Sequence, residues 1–364
     1  MTGSRTLRLT VVAVMTAAAT LIVGAPTLGP ASLPVPAAVS PTVPPNSAPP
    51  PAPTRPILAP DQLERAVVPT IVAITSDSVT TSTAGTGIIL TADGLVVTNH
   101  HVIVGATAVS ARSFDTGTSY EAEVLGYDAG TDIAVLRLAD AANLTPATIG
   151  DHTNIRIGEP VTAIGNAEGD GAAVSARGAV TGLEQVLTAR STADGSRNRL
   201  DGMIEVNAAV RPGDSGGPLV DDTGAVIGIN TAGNAESDPA EPVATPRSYA
   251  VPIDVAMGVV DQVRSGTSSD TVRVGPTPVL GVTVTDHARG AEVLWVSLWG
   301  PAEDAGMEVG DVITTMDGRR ISSAQEITAM MMQRGPGDTI ELGWIDREGA
   351  VHTGRIMLEE GPPN

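Results

Sequence analysis

The chain of 364 residues contains no cysteine, and this absence removes several kinds of chemistry at once. Thiol nucleophiles, disulfide bridges and zinc sites built on cysteine are all excluded. The sequence also lacks an excess of positive charge, because its formal net charge at pH 7 is -20. A general basic surface for nucleic acid or anionic lipid is therefore not expected. We expect neither a cofactor nor a metal site.

Long amphipathic helices are scarce as well. Between about residues 61 and 262, short Val, Ile, Leu and Thr runs alternate with Gly, Asp and Asn turns, and a helical pattern first occurs from Pro252 to Val263. This spacing is typical of an all-β barrel or sandwich. Two polar stretches, Glu184 to Asp201 and Ala232 to Arg247, are too long for simple hairpins and are expected to interrupt this domain as loops.

The N-terminal part differs from this middle region. Arg5 and Arg8 precede an apolar run from Leu9 to Ala25, which is the pattern of an export signal. Residues 26 to 60 are dominated by Pro, Ala, Ser and Thr, so they should form an extended, semi-rigid linker. The signal could be cleaved, which its Thr and Ala content favours, or retained as a membrane anchor, since it approaches the ~17 residues of a membrane span. Either way, we expect an extracytoplasmic protein, secreted or associated with the cell envelope.

A glycine-bounded serine is the strongest chemical signal in the sequence. Gly213-Asp214-Ser215-Gly216-Gly217 lies between two apolar stretches. The glycines allow a sharp turn and the close approach of a substrate carbonyl. The amides of Gly213 and Ser215 can then point together at a developing oxyanion. An ordinary surface turn would have a similar composition. The motif therefore indicates a catalytic nucleophile only if a base and an acid accompany it.

Two further segments supply a candidate base and acid. His100 and His101 follow two apolar strands joined by a turn, so they lie where a strand leaves the sheet. Adjacent residues of an extended chain face opposite sides, and we choose His101 as the base. Asp132 abuts an apolar strand and can be buried there to orient the imidazole, whereas Asp128 is expected in solvent. Separately, His101 could be a core histidine and Asp132 a strand cap, but together with Ser215 they fit Ser-His-Asp catalysis.

The sequence words TNHHVI, YDAGTDIAVLRL, AIGN and RPGDSGGPLVDDTGAVIGINTA resemble the HtrA (Deg) family of exported serine proteases with a PDZ domain, and within it the secreted mycobacterial PepA-type enzymes. The resemblance covers roughly residues 61 to 360. It implies a chymotrypsin-like double β-barrel with its active site between the barrels, followed by a small α+β PDZ domain. It also implies that His101 is the general base, Asp132 its orienting carboxylate and Ser215 the nucleophile. The predicted parts are a signal or anchor (1–25), a Pro-rich linker (26–60), a protease domain (61–264), a connector (265–276) and a PDZ domain (277–360).

The same resemblance implies a substrate preference. In chymotrypsin-like enzymes the base of the primary pocket lies six residues before the serine, and Ala209 occupies that position here. Asn230, Thr231 and Ala232 should form a pocket wall. With no carboxylate at the base, the pocket should accept Val, Ala, Leu or Ile rather than Lys or Arg.

One residue departs from the family pattern. Most HtrA enzymes have Asn before the nucleophile, whereas this chain has Asp214. In digestive proteases an Asp there pairs with a new N-terminal amine, but no Ile-Val-Gly-Gly-like sequence lies upstream of His101 to provide one. Because a buried, unpaired carboxylate is costly, Asp214 is expected either in solvent or compensated by a cation such as Arg211.

The C-terminal part carries the PDZ-like pattern. It runs from Gly300-Pro301-Ala302 through Asp317-Gly318 to a helical stretch from Ser322 to Gln333. The resemblance implies a carboxylate-binding loop, formed by Leu280, Gly281 and Val282. It also implies a helix face that lines the peptide groove, formed by Ile327, Met330 and Met331. Plain core packing is the alternative for the methionines. We expect this domain to bind polypeptide substrates and C-terminal peptides by strand addition.

Two classes of function follow from these observations. One is an exported endopeptidase that cleaves misfolded or extended polypeptides, and the other is a protease-like chaperone or peptide-binding scaffold with little turnover. A non-proteolytic esterase is a weaker third alternative. A complete triad favours the endopeptidase. Many members of the family that the chain resembles form trimers, so the resemblance also allows a homotrimer.

Overall fold

The computed structural model describes residues 55–190, 197–231 and 246–363, without the side chains of residues 189, 190, 197 and 198. The predicted export signal, most of the Pro-rich linker and all but the last two residues of the predicted loop from Ala232 to Arg247 lie outside this range. Within the range, no helix combines the length and the apolar character needed to cross a membrane. Short strands predominate in this range, as the sequence predicts.

Six antiparallel strands form a first barrel. Their order is β5-β4-β1-β2-β3-β6, and a further pairing of β5 with β6 closes the ring. Buried aliphatic side chains such as Ile74, Val96 and Leu136 fill its interior. The strands are β1 (Ile71–Asp77), β2 (Ser82–Ile89), β3 (Leu95–Thr98), β4 (Ala108–Ser113), β5 (Ser119–Asp128) and β6 (Ile133–Leu138).

A second closed barrel follows, in the order β10-β11-β12-β9-β8-β7. Its interior is lined by aliphatic residues such as Val161, Ile204 and Leu219. The strands are β7 (Pro160–Gly165), β8 (Val174–Arg190), β9 (Arg197–Val206), β10 (Pro218–Val220), β11 (Val226–Thr231) and β12 (Ser248–Pro252).

The polar stretch from Glu184 to Asp201 is not the loop that its composition suggests. In the described residues, β8 and β9 extend through most of it as a long hairpin, with Leu187 paired to Leu200. Leu187, Leu200 and Met203 are buried in the main core of the protein. Burial of these apolar side chains favours paired strands over a loop in a stretch whose other residues are mostly polar.

One apolar cluster joins the two barrels through two helices. Helix α1 spans Pro60–Val67, and α3 spans Ile253–Arg264, within one residue of its prediction. The buried positions of α3 recur every three or four residues, which is the period of an amphipathic helix. The barrel residues packed in this cluster include Ile71, Ile88, Val97, Ile133, Val135, Val220, Val226, Ile229 and Tyr249. This shared core fixes one barrel against the other.

The C-terminal domain is an antiparallel sheet with two helices, α4 (Pro301–Asp304) and α5 (Ala324–Met331). The sheet order is β15-β16-β17-β19-β20, and its core includes Met316, Ile340 and Trp344. A separate pair joins β14 to β21. The strands are β14 (Thr277–Val279), β15 (Val282–His287), β16 (Gly290–Val296), β17 (Val312–Met316), β18 (Arg319–Arg320), β19 (Thr339–Ile345), β20 (Val351–Met357) and β21 (Glu359–Gly361).

The predicted connector, residues 265–276, contains a strand. Strand β13 (Val272–Val274) pairs with β5 and so becomes an edge of the first barrel. The remaining short elements are the helix α2 (His100–Ile103) and the 3₁₀ turns Val68–Thr70, His152–Asn154 and Ala167–Gly169. Because β13 is hydrogen-bonded to the barrel, the connector is not a free linker.

Candidate active site

The predicted base lies at the point where a strand becomes a helix. Strand β3 ends at Thr98, and α2 begins at His100 with Asn99 as its N-cap. The amide of Asn99 and the backbone N–H of His100 both donate to the carbonyl of Asp132, at 3.0 and 3.1 Å. Asp132 has a left-handed φ of 58°, a conformation that Asp tolerates better than most residues. These contacts hold the predicted acid against the segment of the predicted base.

The side chains of His101 and Asp132 are in direct contact. Nδ1 of His101 lies 2.8 Å from Oδ2 and 3.0 Å from Oδ1 of the carboxylate. The backbone N–H of His101 donates to Oδ1 at 2.9 Å, and the hydroxyl of Thr231 donates to Oδ2 at 3.1 Å. The carboxylate is thus held on both oxygens, which fixes the orientation of the imidazole that it contacts.

The electrostatics of this pair favour a charged imidazole. Desolvation disfavours the imidazolium of His101, but the negative charge and hydrogen bond of Asp132 outweigh it and raise the pKa above 6.5. For Asp132, desolvation acts in the opposite direction to the charge and hydrogen bonds of His101, and the net pKa of the carboxyl is lowered. Asp132 is therefore an anion at neutral pH, able to stabilise a proton on His101.

The predicted nucleophile lies in a tight loop of the second barrel, residues 211–217, which we call the nucleophile loop. Gly213 and Gly216 have left-handed φ values of 96° and 84°. The N–H of Gly217 donates to the carbonyl of Asp214 at 3.0 Å, which closes the turn around Ser215. Only 4% of Ser215 is exposed. The glycines therefore supply the turn geometry that the sequence indicates.

The nucleophile loop meets the histidine segment over Gly85 of β2. A Cβ atom at Gly85 would lie 2.6 Å from Cγ1 of Val102 and 3.3 Å from the carbonyl oxygen of Ser215. Val102 directly follows His101 in α2. The structure thus brings the predicted base, acid and nucleophile to one place between the two barrels.

Asp214 is buried, so the first of its two expected placements, in solvent, is wrong. Its Oδ2 accepts a hydrogen bond from the backbone N–H of Arg211 at 2.9 Å. The Arg211 guanidinium instead pairs with Glu168, at 3.2 Å from Nη1 to Oε1. Desolvation raises the pKa of Asp214, and the hydrogen bond and charge of Arg211 offset this only in part. Arg211 therefore does stabilise the buried carboxylate of Asp214, but chiefly through its backbone N–H rather than through its guanidinium.

Two residues beside the site have structural contacts. Asp128 is buried rather than in solvent, because its carboxylate accepts from the N–H groups of Gly130 and Thr131 in the turn before β6. His100 is buried, and its ring stacks on Tyr127 with the centroids 4.6 Å apart. Choosing His101 over His100 is consistent with this placement.

The residues predicted to form the substrate pocket differ in their exposure to solvent. Ala209 is exposed, whereas Asn230 is buried and its amide donates to the carbonyl of Pro218 at 3.0 Å. The Thr231 hydroxyl contacts Asp132, a role that sequence reasoning missed because the two residues are 99 positions apart. The side chains of Asn230 and Thr231 thus contact Pro218 and Asp132, and the backbone N–H and C=O of Asn230 are hydrogen-bonded to Gly217 and Gly216, so a pocket wall formed by these residues stays a prediction.

The residues predicted for peptide binding lie around the open edge of the C-terminal sheet. Leu280 and Gly281 immediately precede β15, which begins at Val282 and pairs on one side only among the described strands. Helix α5 lies beside this strand, with the N–H of Ala324 donating to Asp286 at 2.8 Å. Ile327 is buried in the domain core, and Met330 and Met331 pack against it, as the core alternative predicts.

Comparisons with known proteins agree with this architecture. A family model described as a trypsin-like peptidase domain matches residues 85–229, and a PDZ domain model matches residues 278–358. Serine protease PepD of Mycobacterium tuberculosis is 31% identical over 82% of this chain and 65% of its own length. A probable DegP-like periplasmic serine endoprotease of Halomonas elongata is 33% identical over 71% of this chain and 52% of its own length.

A further relative and a solved structure complete the comparison. Serine protease Do-like HtrA of Bacillus subtilis is 30% identical over 77% of this chain and 64% of its own length. A structure of an HtrA-type protease with a tripeptide covers 84% of this chain and 99% of its own, at 27% identity and a TM-score of 0.49. The chain thus spans about half to two thirds of the length of these curated relatives. With both domain types matched in order and relatives of this kind, the chain belongs to the HtrA family of trypsin-like serine proteases with a PDZ domain.

Proposed function

We propose that this protein is a serine endopeptidase with Ser215 as nucleophile, His101 as general base and Asp132 as the orienting carboxylate. The observation that carries the proposal is the carboxylate of Asp132, which contacts Nδ1 of His101 at 2.8 Å and is fixed by two further hydrogen bonds. That arrangement leaves Nε2 of the imidazole to accept a proton from a serine hydroxyl.

The proposed reaction proceeds in two acyl-transfer steps. Oγ of Ser215 attacks the peptide carbonyl carbon while His101 takes its proton, and the N–H groups of Gly213 and Ser215 stabilise the oxyanion. The imidazolium then protonates the leaving amine as the C–N bond breaks. Water attacks the ester in the same way, giving its proton to His101 and releasing the acid and the free serine.

The first test compares wild type with Ser215→Ala on casein and on a refolding client protein. Wild type should degrade casein, and Ser215→Ala should not, because the nucleophile is removed. A chaperone or scaffold would suppress client aggregation equally well in both forms and cut casein in neither. Equal casein degradation by both forms would remove Ser215 from the mechanism.

The proposed substrates are polypeptides cleaved after small or medium aliphatic residues. The support is Ala209, which places no charge at the position that sets the pocket base in trypsin-like enzymes. A peptide library digested by the enzyme and analysed by mass spectrometry should show cleavage after Val, Ala, Leu or Ile. Dominant cleavage after Lys or Arg would refute this preference.

The proposed role of the PDZ domain is to bind apolar C-terminal peptides. The support is the open edge of β15 beside the loop of Leu280, Gly281 and Val282, since an extended peptide can add to such an edge. Calorimetric titration should detect an apolar peptide with a free carboxylate and a much weaker interaction with its C-terminal amide. Equal binding of both peptides would exclude carboxylate recognition.

The proposed location is extracytoplasmic. The support is the signal-like N-terminal sequence and the periplasmic description of several relatives. Cell fractionation with N-terminal sequencing of the mature protein should recover it outside the cytoplasm and show whether residues 1–25 are removed. Recovery of the active enzyme in the cytoplasm alone would contradict this location.

Light scattering of the purified protein tests the homotrimer that the family resemblance allows.

A further inference from the structure

A buried threonine of the first barrel contacts the nucleophile loop of the second. Thr86 lies on β2 and is 0% exposed. Its hydroxyl donates to the carbonyl of Gly213 at 2.7 Å and accepts from the N–H of Asn166 at 2.9 Å. Its own N–H donates to the carbonyl of Ser215 at 2.8 Å. One residue therefore holds two carbonyls of the nucleophile loop.

A second contact fixes the peptide unit that precedes Gly213. The N–H of Glu168 donates to the carbonyl of Pro212 at 2.7 Å. Because C=O and N–H point in opposite directions in a trans peptide, the N–H of Gly213 is directed away from Glu168. No hydrogen bond among the described residues uses this N–H. The Gly213 amide is thus held between two fixed carbonyls, its own and that of Pro212.

The same threonine connects the nucleophile loop to the strand that leads to the histidine. Its carbonyl accepts a hydrogen bond from the hydroxyl of Thr98 at 2.7 Å, and Thr98 ends β3. A Cβ atom at Gly216 would lie 2.1 Å from the carbonyl oxygen of Thr86 and 2.2 Å from Oγ1 of Thr98. This close approach requires glycine at 216, and it sets the nucleophile loop against the segment that carries His101.

We propose that Thr86 is a positioning residue for the oxyanion hole, an inference that rests on the proposed serine-protease chemistry. The hole works only if its N–H groups lie about 2.7–3.1 Å from the developing oxyanion. If the peptide unit between Gly213 and Asp214 rotated, the Thr86 hydroxyl would lose its acceptor and a buried carbonyl would lose its donor. Thr86 thereby anchors the C-terminal side of Gly213, and together with the Glu168 contact on the preceding peptide unit it keeps the Gly213 N–H in its place in the hole.

The test replaces Thr86 by residues of similar shape. Thr86→Val keeps the backbone contact to Ser215 but removes the hydroxyl, and Thr86→Ser restores it. Thr70→Val is the matched control, because Thr70 is also buried and its hydroxyl donates to a carbonyl, that of Val67, outside the site. Each full-length variant is measured for kcat and KM on a chromogenic peptide anilide ending in valine, and for inhibition by the corresponding peptide boronic acid.

Thr86→Val should lower kcat by about 10- to 100-fold, somewhat less than the removal of an oxyanion donor itself. Its KM should change little, and its affinity for the boronic acid should fall in parallel with kcat/KM, because that inhibitor resembles the transition state. Thr86→Ser should recover most of the activity, and Thr70→Val should match wild type. If Thr86→Val does not fold, the weaker donor of Thr86→Cys should show the same pattern, with Thr70→Cys as control.

Unchanged kcat and boronic acid affinity in a folded Thr86→Val would overturn the inference. So would equal losses in Thr86→Val and Thr70→Val, since these would indicate general destabilisation. A Thr86→Ser variant as inactive as Thr86→Val would also overturn it. Failure of the proposed function is distinguished by the wild type, which would then neither turn over the anilide nor bind the boronic acid.

Discussion

The raised pKa of His101 determines the pH at which its imidazole can act as a base. Asp132 is responsible, because its anion and hydrogen bond favour the imidazolium more strongly than desolvation disfavours it. Activity requires the neutral ring, so kcat/KM should increase with pH, with a midpoint above 6.5. Measuring kcat/KM from pH 5 to 9 checks this. A flat profile, or a midpoint below 6.5, would contradict a histidine base paired with Asp132.

Substitution of Asp132 tests the other half of this pair. Asp132→Asn keeps the size of the side chain but loses the charge and favours the wrong imidazole tautomer. Turnover should fall by about 10⁴-fold, as in chymotrypsin-type triads, while the fold is retained. Kinetics alongside circular dichroism check this prediction. A variant that loses less than about tenfold would show that Asp132 does not orient the base.

Asp214 should make stability depend on pH in a defined direction. Burial raises its pKa in the folded protein, so folding favours the protonated carboxyl. The contribution of this group is therefore most favourable below its unfolded pKa and is lost as pH rises through the folded value. Asp214→Asn cannot ionise, and its amide oxygen can still accept from the N–H of Arg211. Its free energy of unfolding should exceed that of wild type at pH 8, and the gap should narrow toward pH 4.

Urea unfolding of wild type and Asp214→Asn at both pH values measures this gap, and the acidic measurement is the internal control. The variant should also keep substantial peptidase activity, because no zymogen pairing is expected for Asp214. A variant less stable than wild type at pH 8, or one inactive although folded, would contradict this account of Asp214.

At the scale of elements, the position of α2 depends on the absence of a side chain on β2. A Cβ atom at Gly85 would lie 2.6 Å from Val102, so Gly85→Ala should displace the helix that carries His101. Activity should therefore fall more than stability does. Gly258→Ala is the control, because Gly258 lies inside α3 with open space around it. That control should stabilise the protein by about 0.5–1 kcal/mol and leave activity unchanged. Peptidase activity and thermal unfolding are measured for both variants. Equal activities of Gly85→Ala and Gly258→Ala would contradict this prediction.

The elements of the site were predictable from the sequence to different extents. Local patterns were sufficient for the turn around Ser215, the strand before His101 and the apolar strand after Asp132. The contact of Thr231 with Asp132 and that of Thr86 with Gly213 join residues 99 and 127 positions apart. Such contacts follow from how two barrels pack together, so no local pattern contains them. The burial of Asp214 also results from this packing, so it could not be predicted from the local sequence either.

At the scale of the whole molecule, the protease and PDZ domains are joined by buried contacts as well as by the chain. Arg273 on β13 is 3% exposed, and its guanidinium donates to the carbonyls of Met332 and Arg334, just beyond α5, and of Pro276. Near the C-terminus, the N–H of Gly105 donates to the carbonyl of Pro363 at 2.8 Å. A deletion from residue 277 onward would remove most of these partners, so it would disturb the barrel as well as the PDZ domain.

Arg273→Met tests this junction. The substitution keeps most of the side-chain volume but removes a buried guanidinium that donates to three partly buried carbonyls, which should destabilise the protein by about 1–3 kcal/mol. Limited proteolysis should then cut faster within residues 265–276. The control is Arg355→Met, because Arg355 is exposed and its contact with Glu341 is long, at 3.9 Å. Unchanged stability and proteolysis in Arg273→Met would show that the junction does not depend on Arg273.

The central claim, that Ser215 is an activated nucleophile, is tested most directly by covalent labelling. The full-length protein and Ser215→Ala are treated with a fluorophosphonate, and the modified residue is located by mass spectrometry. The account predicts rapid, stoichiometric labelling of wild type at Ser215, slower labelling below the pKa of His101, and no labelling of the variant. Labelling at another residue, equal labelling of the variant, or no reaction of the folded wild-type protein would contradict it.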